Sequence, residues 1–233
     1  MTGDLAKKLH LPLYSRHEIE NMVRLGTVDF DLGVSVLYWQ KIREPVLSAA
    51  RKGVINFHPA PLPLYKGTAG YNLAILEGLD KWAVSAHYAD ANIDTGPIID
   101  VSWFEIESGR ITARDLERQT QSQLLNQIKT ILHKAIASTQ MLSTFPNEGG
   151  RYVSRLEMEE MKAIAPGDDI DRKIRAFWFP PYNGAHITLE GKTYTLIEGT
   201  ILSSLADPTI SSLFTPANSN DALGRKPSSD RGE

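Results

Sequence analysis

The 233-residue sequence contains no cysteine, which removes disulfides, thiolate nucleophiles and cysteine-ligated zinc from consideration and fits a reducing compartment. Nowhere does an apolar run approach the roughly 18 residues that a membrane span needs. The opening MTGDLAKKLHLPLY also lacks the continuous apolar stretch of a secretory leader. The expectation is a cytoplasmic chain with no membrane partner. The net charge is −3 and no cluster of Lys and Arg stands out, which argues against a nucleic-acid partner because phosphate binding is driven by clustered cations. No internal repeat is visible. What remains is an ordinary globular composition with 42% hydrophobic residues. That is enough to bury a sizeable core as one domain with an appendage, or as two small domains.

Turn residues and apolar spacing divide the chain into alternating helices and strands. A short strand around Leu11–Tyr14 and a helix from Arg16 to about Leu25, N-capped by Ser15, come first. Leu32 to Leu37 reads as a buried strand, QKIREPVLSAARKG as a short helix closed by Gly53, and Val54–Ile55 as the end of another buried strand. In VINFHPAPLPLYKGTAGY, proline cannot continue a sheet because it lacks the donor N–H, so this strand is expected to stop near Asn56 and give way to a stiff loop. AGYNLAILEG has helical spacing and a glycine stop at Gly78. WAVSAHYAD alternates like a strand, and residues 97 to 106 form another, joined to it by ANIDTG. Thr112 to about Ser138 is the longest regular stretch. Thr112 and Asp115 cap it, and Leu116, Leu124, Leu125, Ile128, Ile131, Leu132 and Ile136 mark its packed face. STFPNEGGRY reads as a linker, followed by a short acidic helix around Leu156–Ala163 and a hairpin, HITLEGKTYTLIEG, turning at Glu190–Gly191. From about Leu205 the composition predicts disorder.

Three side chains stand out for chemistry. Asn56 and His58 sit on alternate positions where a strand ends, which is where open α/β sheets place their ligand crevices. Asn56 can donate a hydrogen bond to a developing oxyanion, and His58 can pass a proton. A carboxylate such as Asp94, in NIDTG, can fix the imidazole's tautomer and favour its charged form. Such a set suits acyl-type transfer to an amine. Singly, each residue has a plainer reading: Asn56 as a turn former, His58 as a satisfied half-buried histidine, Asp94 as the head of an Asx turn.

Jointly, the spacing Asn-x-His-x-x-x-Leu-Pro-x-Tyr-x-Gly over 56–67, followed by His87 and Asp94-x-Gly96, resembles the folate-dependent formyltransferase family. That family includes methionyl-tRNA formyltransferase, glycinamide ribonucleotide formyltransferase and the sugar N-formyltransferases. YWQKI at 38–42 and AILEG extend the resemblance, and IDRKIRAFWFPPYNGAHITLEGKTYTL is similar to the opening of the C-terminal domain of some members, so residues 5 to 200 are covered. The resemblance implies a doubly wound, mostly parallel Rossmann-like α/β sheet with a small β-rich C-terminal subdomain. The implied domains are a catalytic domain over 1–145 and the subdomain over 146–204, with the tail over 205–233, expected from composition to be disordered, left unmatched. It also implies catalysis by Asn56, His58 and Asp94, with no metal, and 10-formyltetrahydrofolate as donor, in a pocket walled by Gln40, Lys41, Ile42, His87, Asp90 and Ile93. His87 has a plainer reading as a core histidine.

Ala60 stands where many members carry serine, Lys41 where they are usually apolar, and Pro61 adds stiffness to the loop. Members normally open with a glycine-containing strand and helix that this sequence does not show, so the expected sheet is N-terminally incomplete. An inactive remnant with a binding or assembly role is the alternative from outside enzymology. For the acceptor, the expectation is a nucleotide-linked amino sugar, because the C-terminal unit is small and lacks the basic character of a tRNA-binding domain. Methionyl-tRNA remains the alternative acceptor. Trp178 and Tyr182 are candidates to stack on a base or sugar, against a plainer role in packing a domain junction. A homodimer is left open.

Overall fold

The structure is a computed structural model that describes residues 2–38 and 40–205. The tail over 206–233, for which the sequence predicts disorder, lies outside the described residues. The chain divides into two compact units, Met1–Leu196 and Ile197–Glu233. In the second, the described part holds one short helix, Gly199–Ser204, which the sequence reading had not singled out.

The first unit is built on a four-stranded sheet of β1 (Gly33–Val36), β2 (Val54–His58), β4 (Lys81–Tyr88) and β5 (Ile98–Glu105), in spatial order β1-β2-β4-β5. β1 runs parallel to β2, β4 antiparallel to β2, and β5 antiparallel to β4. Three of the four strands therefore share one direction, and the sheet is mostly parallel with β4 reversed. Helices α1 (Thr2–Lys8), α2 (Arg16–Arg24), α3 (Val46–Ala49), α4 (Gly70–Leu76) and α5 (Ala113–Ala137) come between or after the strands. Beyond them lie β6 (Arg151–Val153), which pairs in parallel with β3 (Tyr65–Gly67), then α6 (Arg155–Glu160), α7 (Ile170–Phe177) and the hairpin β7 (His186–Leu189) and β8 (Lys192–Thr195). The hairpin turns at Glu190 and Gly191, both at positive φ as its two-residue loop requires.

Local chemistry accounts for most of these elements. Ser15 caps α2 with a full capping box, its side chain accepting from the Glu18 N–H while Glu18 accepts from the Ser15 N–H. On α5 the buried stripe is Ala113, Leu116, Thr120, Leu124, Gln127, Ile131 and Ala135. Leu125 and Ile136, assigned to that face from sequence, are instead 51% and 73% exposed, because the 3.6-residue period passes through the polar Thr120 and Gln127. Lys52 closes the far end of α5 by donating to the carbonyls of Ala135 and Ser138, a cation placed where the helix dipole favours it.

Some expectations fail for identifiable reasons. Leu11–Tyr14 forms no strand, and its apolar side chains are more than half exposed. The strand expected over Leu32–Leu37 exists but is not buried: it lies at the sheet's edge, and only Ser35 is covered. β2 does not stop at Asn56 but continues to His58, because β4 pairs with it as far as His58–Ser85 and only Pro59 ends the ladder. The stretch read as a linker is bonded into the fold, with Phe145 bridging Ile98 and β6 pairing with β3.

The core decides where the chemistry goes. Ile55 and Phe57 of β2 pack with Val84, Ala86 and Tyr88 of β4 and with Leu124, Ile131 and Ala135 of α5. Each large apolar side chain so buried contributes about 1.5–3 kcal/mol. Strand alternation then turns Asn56 and His58 to the opposite face.

Candidate active site

Register places His87 opposite Asn56 and Ser85 opposite His58 on that face. Ser85 steadies the proline loop, donating to the Ala60 carbonyl at 2.7 Å while accepting from the Leu62 N–H at 2.9 Å. Asp94 enters from the β4–β5 connection at φ 55°, a left-handed conformation that costs an ordinary residue roughly 1–2 kcal/mol and is typical of functional turns. Two residues on, Gly96 passes so close to Tyr88 that a Cβ there would lie 1.8 Å from the Tyr88 carbonyl oxygen. The result is convergence. Asp94 Oδ2 is 3.5 Å from His58 Nδ1 and accepts from the Gly67 N–H at 3.0 Å, while Asp94 Oδ1 is 3.5 Å from Asn56 Nδ2 and 3.6 Å from His87 Nε2. His58 is 5% exposed, His87 2% and Asp94 8%.

The partners assign the protons. His58 Nε2 lies 2.9 Å from the Tyr65 carbonyl, which can only accept, so Nε2 carries a hydrogen, and Nδ1, which faces Asp94, is the nitrogen that gains or loses a proton. By the same argument His87 donates from Nδ1 to the Tyr88 carbonyl at 2.9 Å and accepts from Asn56 Nδ2 at 3.0 Å. This orients the Asn56 amide and leaves its second N–H on the long contact to Asp94. Burial pushes the His58 imidazole's pKa down, and this outweighs the charge of Asp94 and the Tyr65 carbonyl, which raise it. Burial also pushes the Asp94 carboxyl up, but His58 and His87, once protonated in acid, together with the Gly67 N–H overcome it and hold the group below its usual range. A neutral imidazole beside an ionised carboxylate is poised to accept a proton, since the imidazolium would form next to its counter-ion.

A shallow cleft opens on this cluster, with about 390 Å³ of space including its mouth. Gln40, Lys41, Ile42, His87, Asp90 and Ile93 all line it, together with Asn56 and Asp94. Asp90 also folds the loop itself, accepting from the Asn92 N–H and the Thr95 hydroxyl. His58 lines a smaller hollow instead, with Tyr65, Lys66 and Tyr71. Trp178 and Tyr182 line neither space; Trp178 ends α7, and Tyr182 is 61% exposed with its ring against Phe179. Sequence reasoning missed Ser85, the Gly67 N–H and the Tyr65 carbonyl. The last two are backbone groups that side-chain identity does not report. Ser85 carried one usable signal, its alternation with His87 along one strand.

The Formyl transferase family matches residues 6–132, and the chain belongs to that family. It is 28% identical to methionyl-tRNA formyltransferase of Rickettsia africae (strain ESF-5) over 86% of this chain and 66% of that protein. It is 31% identical to GDP-perosamine N-formyltransferase of Brucella melitensis biotype 1 over 71% of this chain and 64% of that protein. The chain thus spans slightly less than two thirds of the length of these curated relatives. Among solved structures, the fold is similar to the N-formyltransferase from Helicobacter canadensis in complex with folinic acid and dTDP-3-aminofucose. The TM-score is 0.61 and the identity 24%, over 80% of this chain and 66% of that one. No helix among the described residues is long and apolar enough to cross a membrane.

Proposed function

We propose that this chain transfers a formyl group from 10-formyltetrahydrofolate to the amine of a nucleotide-linked amino sugar, in the cytoplasm. The observation that carries this reading is the convergence of Asn56, His58 and Asp94, with Asn56 and Asp94 lining a cleft shared with Gln40, Lys41, Ile42, His87, Asp90 and Ile93, and His58 against Asp94. The cleft is shallow and open, and its lining mixes apolar surface with amide and carboxylate groups suited to a heteroaromatic ligand. The donor supplies an electrophilic formyl carbon: a bond forms from the amine nitrogen to that carbon, the bond from the carbon to N10 breaks, and the amine's proton ends on N10. Asn56 offers its looser N–H to the oxygen as charge builds there. His58 Nδ1 accepts the amine's proton and later returns it, with Asp94 stabilising the imidazolium between the two events. Residues 1–145, which we propose as the catalytic domain, carry this set, and no step requires a metal.

The sugar acceptor is favoured by charge. A net −3 and a sequence pI near 6.1 do not suit a surface that must hold many phosphates. The 31% identity to the Brucella enzyme acting on GDP-perosamine supports the same reading. Methionyl-tRNA is the second reading, favoured by the longer match to the Rickettsia enzyme. The deciding assay supplies 10-formyltetrahydrofolate with GDP-perosamine, dTDP-3-aminofucose or charged methionyl-tRNA and follows tetrahydrofolate release. Formylation of the tRNA alone would reverse the assignment.

A further inference from the structure

The turn that carries Asp94 is held from outside, by a residue whose sequence context reads as a linker. Asn147 Nδ2 donates to the Asp94 carbonyl at 3.0 Å and to the Gly96 carbonyl at 2.8 Å, spanning the strained turn between them. The opposite placement of the amide would set its oxygen against two carbonyl oxygens, so the orientation is unambiguous. It is kept although Asn147 Oδ1 is buried without a hydrogen-bond partner among the described residues, an arrangement that costs stability and is retained where another demand outweighs it.

Around Asn147 the chain forms a strap between the two loops of the site. On one side Phe145 exchanges two backbone hydrogen bonds of 2.9 Å with Ile98, just past the Asp94 turn. On the other, Gly150 crosses Pro63 so tightly that a Cβ would fall 1.7 Å from the Pro63 carbonyl oxygen, and β6 then pairs with β3. Lys66 grips the strap at the Gly149 carbonyl (2.9 Å), while its neighbour Gly67 donates to Asp94 itself. Tyr65, one residue earlier, holds His58. The separation of Asp94 from His58 is thus set by a backbone frame that Asn147 pins in place.

We propose that Asn147 is a positioning residue, holding Asp94 in the left-handed turn that faces His58; its effect on catalysis rests on the formyl-transfer reading above. The test uses the full chain with ¹³C-labelled histidine, the His58 signal being assigned by its loss in His58→Gln. The groups facing His58 are Asp94, His87 and the Tyr65 carbonyl. Asp94 is the one that raises its affinity for protons through charge, so Asn147→Ala is expected to lower the His58 titration midpoint in the same direction as Asp94→Asn. Glu148→Ala, an exposed neighbour, is expected to leave it in place. With a sugar acceptor from the assay above, Asn147→Ala is expected to lower kcat on the order of 10- to 100-fold, the scale of a displaced catalytic group. KM for 10-formyltetrahydrofolate should stay within about twofold, separating alignment from binding. If Asn147→Ala does not fold, Asn147→Ser, whose single hydroxyl cannot serve both carbonyls, is read in the same way. An unmoved His58 midpoint in the folded variant would overturn the proposal, as would unfolding of both variants. Inactivity of the unaltered chain would count against the formyl-transfer reading alone, because the imidazole titration needs no turnover.

Discussion

At the scale of single residues, the site depends on which of its groups is charged at rest. Burial lowers the His58 pKa below the ordinary 6.5, so the neutral base persists as the medium is acidified. The expected profile of kcat/KM for 10-formyltetrahydrofolate, measured at saturating acceptor, is flat through neutrality, with an acid limb below pH 6.5; a limb centred above that value would contradict a neutral resting imidazole. The same shift has a consequence for stability. A folded-state pKa below the unfolded one means that the unfolded chain binds the proton more readily, so His58 begins to cost stability as pH falls below about 6.5. Asp94 has the opposite role: its lowered pKa contributes stability above its unfolded value near 3.8, and that contribution is lost as pH falls through the folded value. Urea midpoints measured from pH 7 down to pH 5 should therefore fall, and fall less in His58→Gln. For activity, His58→Gln and Asp94→Asn should each lose about 10²–10⁴ in kcat, the range for general acid–base groups, with circular dichroism unchanged. Loss of the native spectrum in either would return these residues to a structural role.

At the scale of elements, a two-residue period does the sorting that matters. Ile55 and Phe57 go to α5 while Asn56 faces the cleft and His58 the smaller hollow beside it, and this alternation was legible in VINFH, as were the capped helices and the Glu190–Gly191 hairpin. Less legible was anything that depends on a distant partner. The extension of β2 to His58 needed β4 beside it, and the exposure of β1 followed from its place at the edge, which its apolar residues do not disclose. The strap was read as a linker because its bonds are made mostly by backbone groups and by one asparagine whose partners lie about fifty residues away in sequence. On α5 the apolar residues outnumber the buried positions, so hydrophobicity alone named Leu125 along with Leu124. That distinction can be tested. Leu124→Ala, at 2% exposure, should cost about 2–5 kcal/mol, whereas Leu125→Ala, at 51% exposure, should stay within about 0.5 kcal/mol. Urea unfolding of both variants checks it, and equal costs would mean that the stripe is wrongly placed. Gly96→Ala should be worse than its size suggests, because the added carbon would meet the Tyr88 carbonyl. Relief requires the Asp94 turn to move, so activity should fall more than stability.

At the scale of the whole molecule, the formyl-transfer proposal raises the question of which amine the site would serve, and electrostatics separates the candidate acceptors. A tRNA must be held by many phosphate contacts, each releasing counter-ions, so its binding weakens steeply with salt, by about 10³–10⁵ between 50 and 200 mM for six to ten contacts. A nucleotide sugar needs a compact pocket and one or two charge contacts. Several cations of this chain are already committed within the fold: Lys52 on the end of α5, Arg51 between Asp29 and Asp31, Lys66 on the strap, Lys173 on Asp168, and Arg175 on the Ser108 carbonyl. Together with the net charge of −3, these pairings favour a compact acceptor over a polyanion. KM for GDP-perosamine or dTDP-3-aminofucose is therefore expected to change by no more than about fivefold across that salt range, in keeping with one or two charge contacts. Titrating salt in the tetrahydrofolate-release assay checks this directly. A steep, many-fold loss on adding salt, seen with methionyl-tRNA and with neither sugar, would mean that the committed lysines and arginines had been miscounted as unavailable and that the acceptor is a nucleic acid.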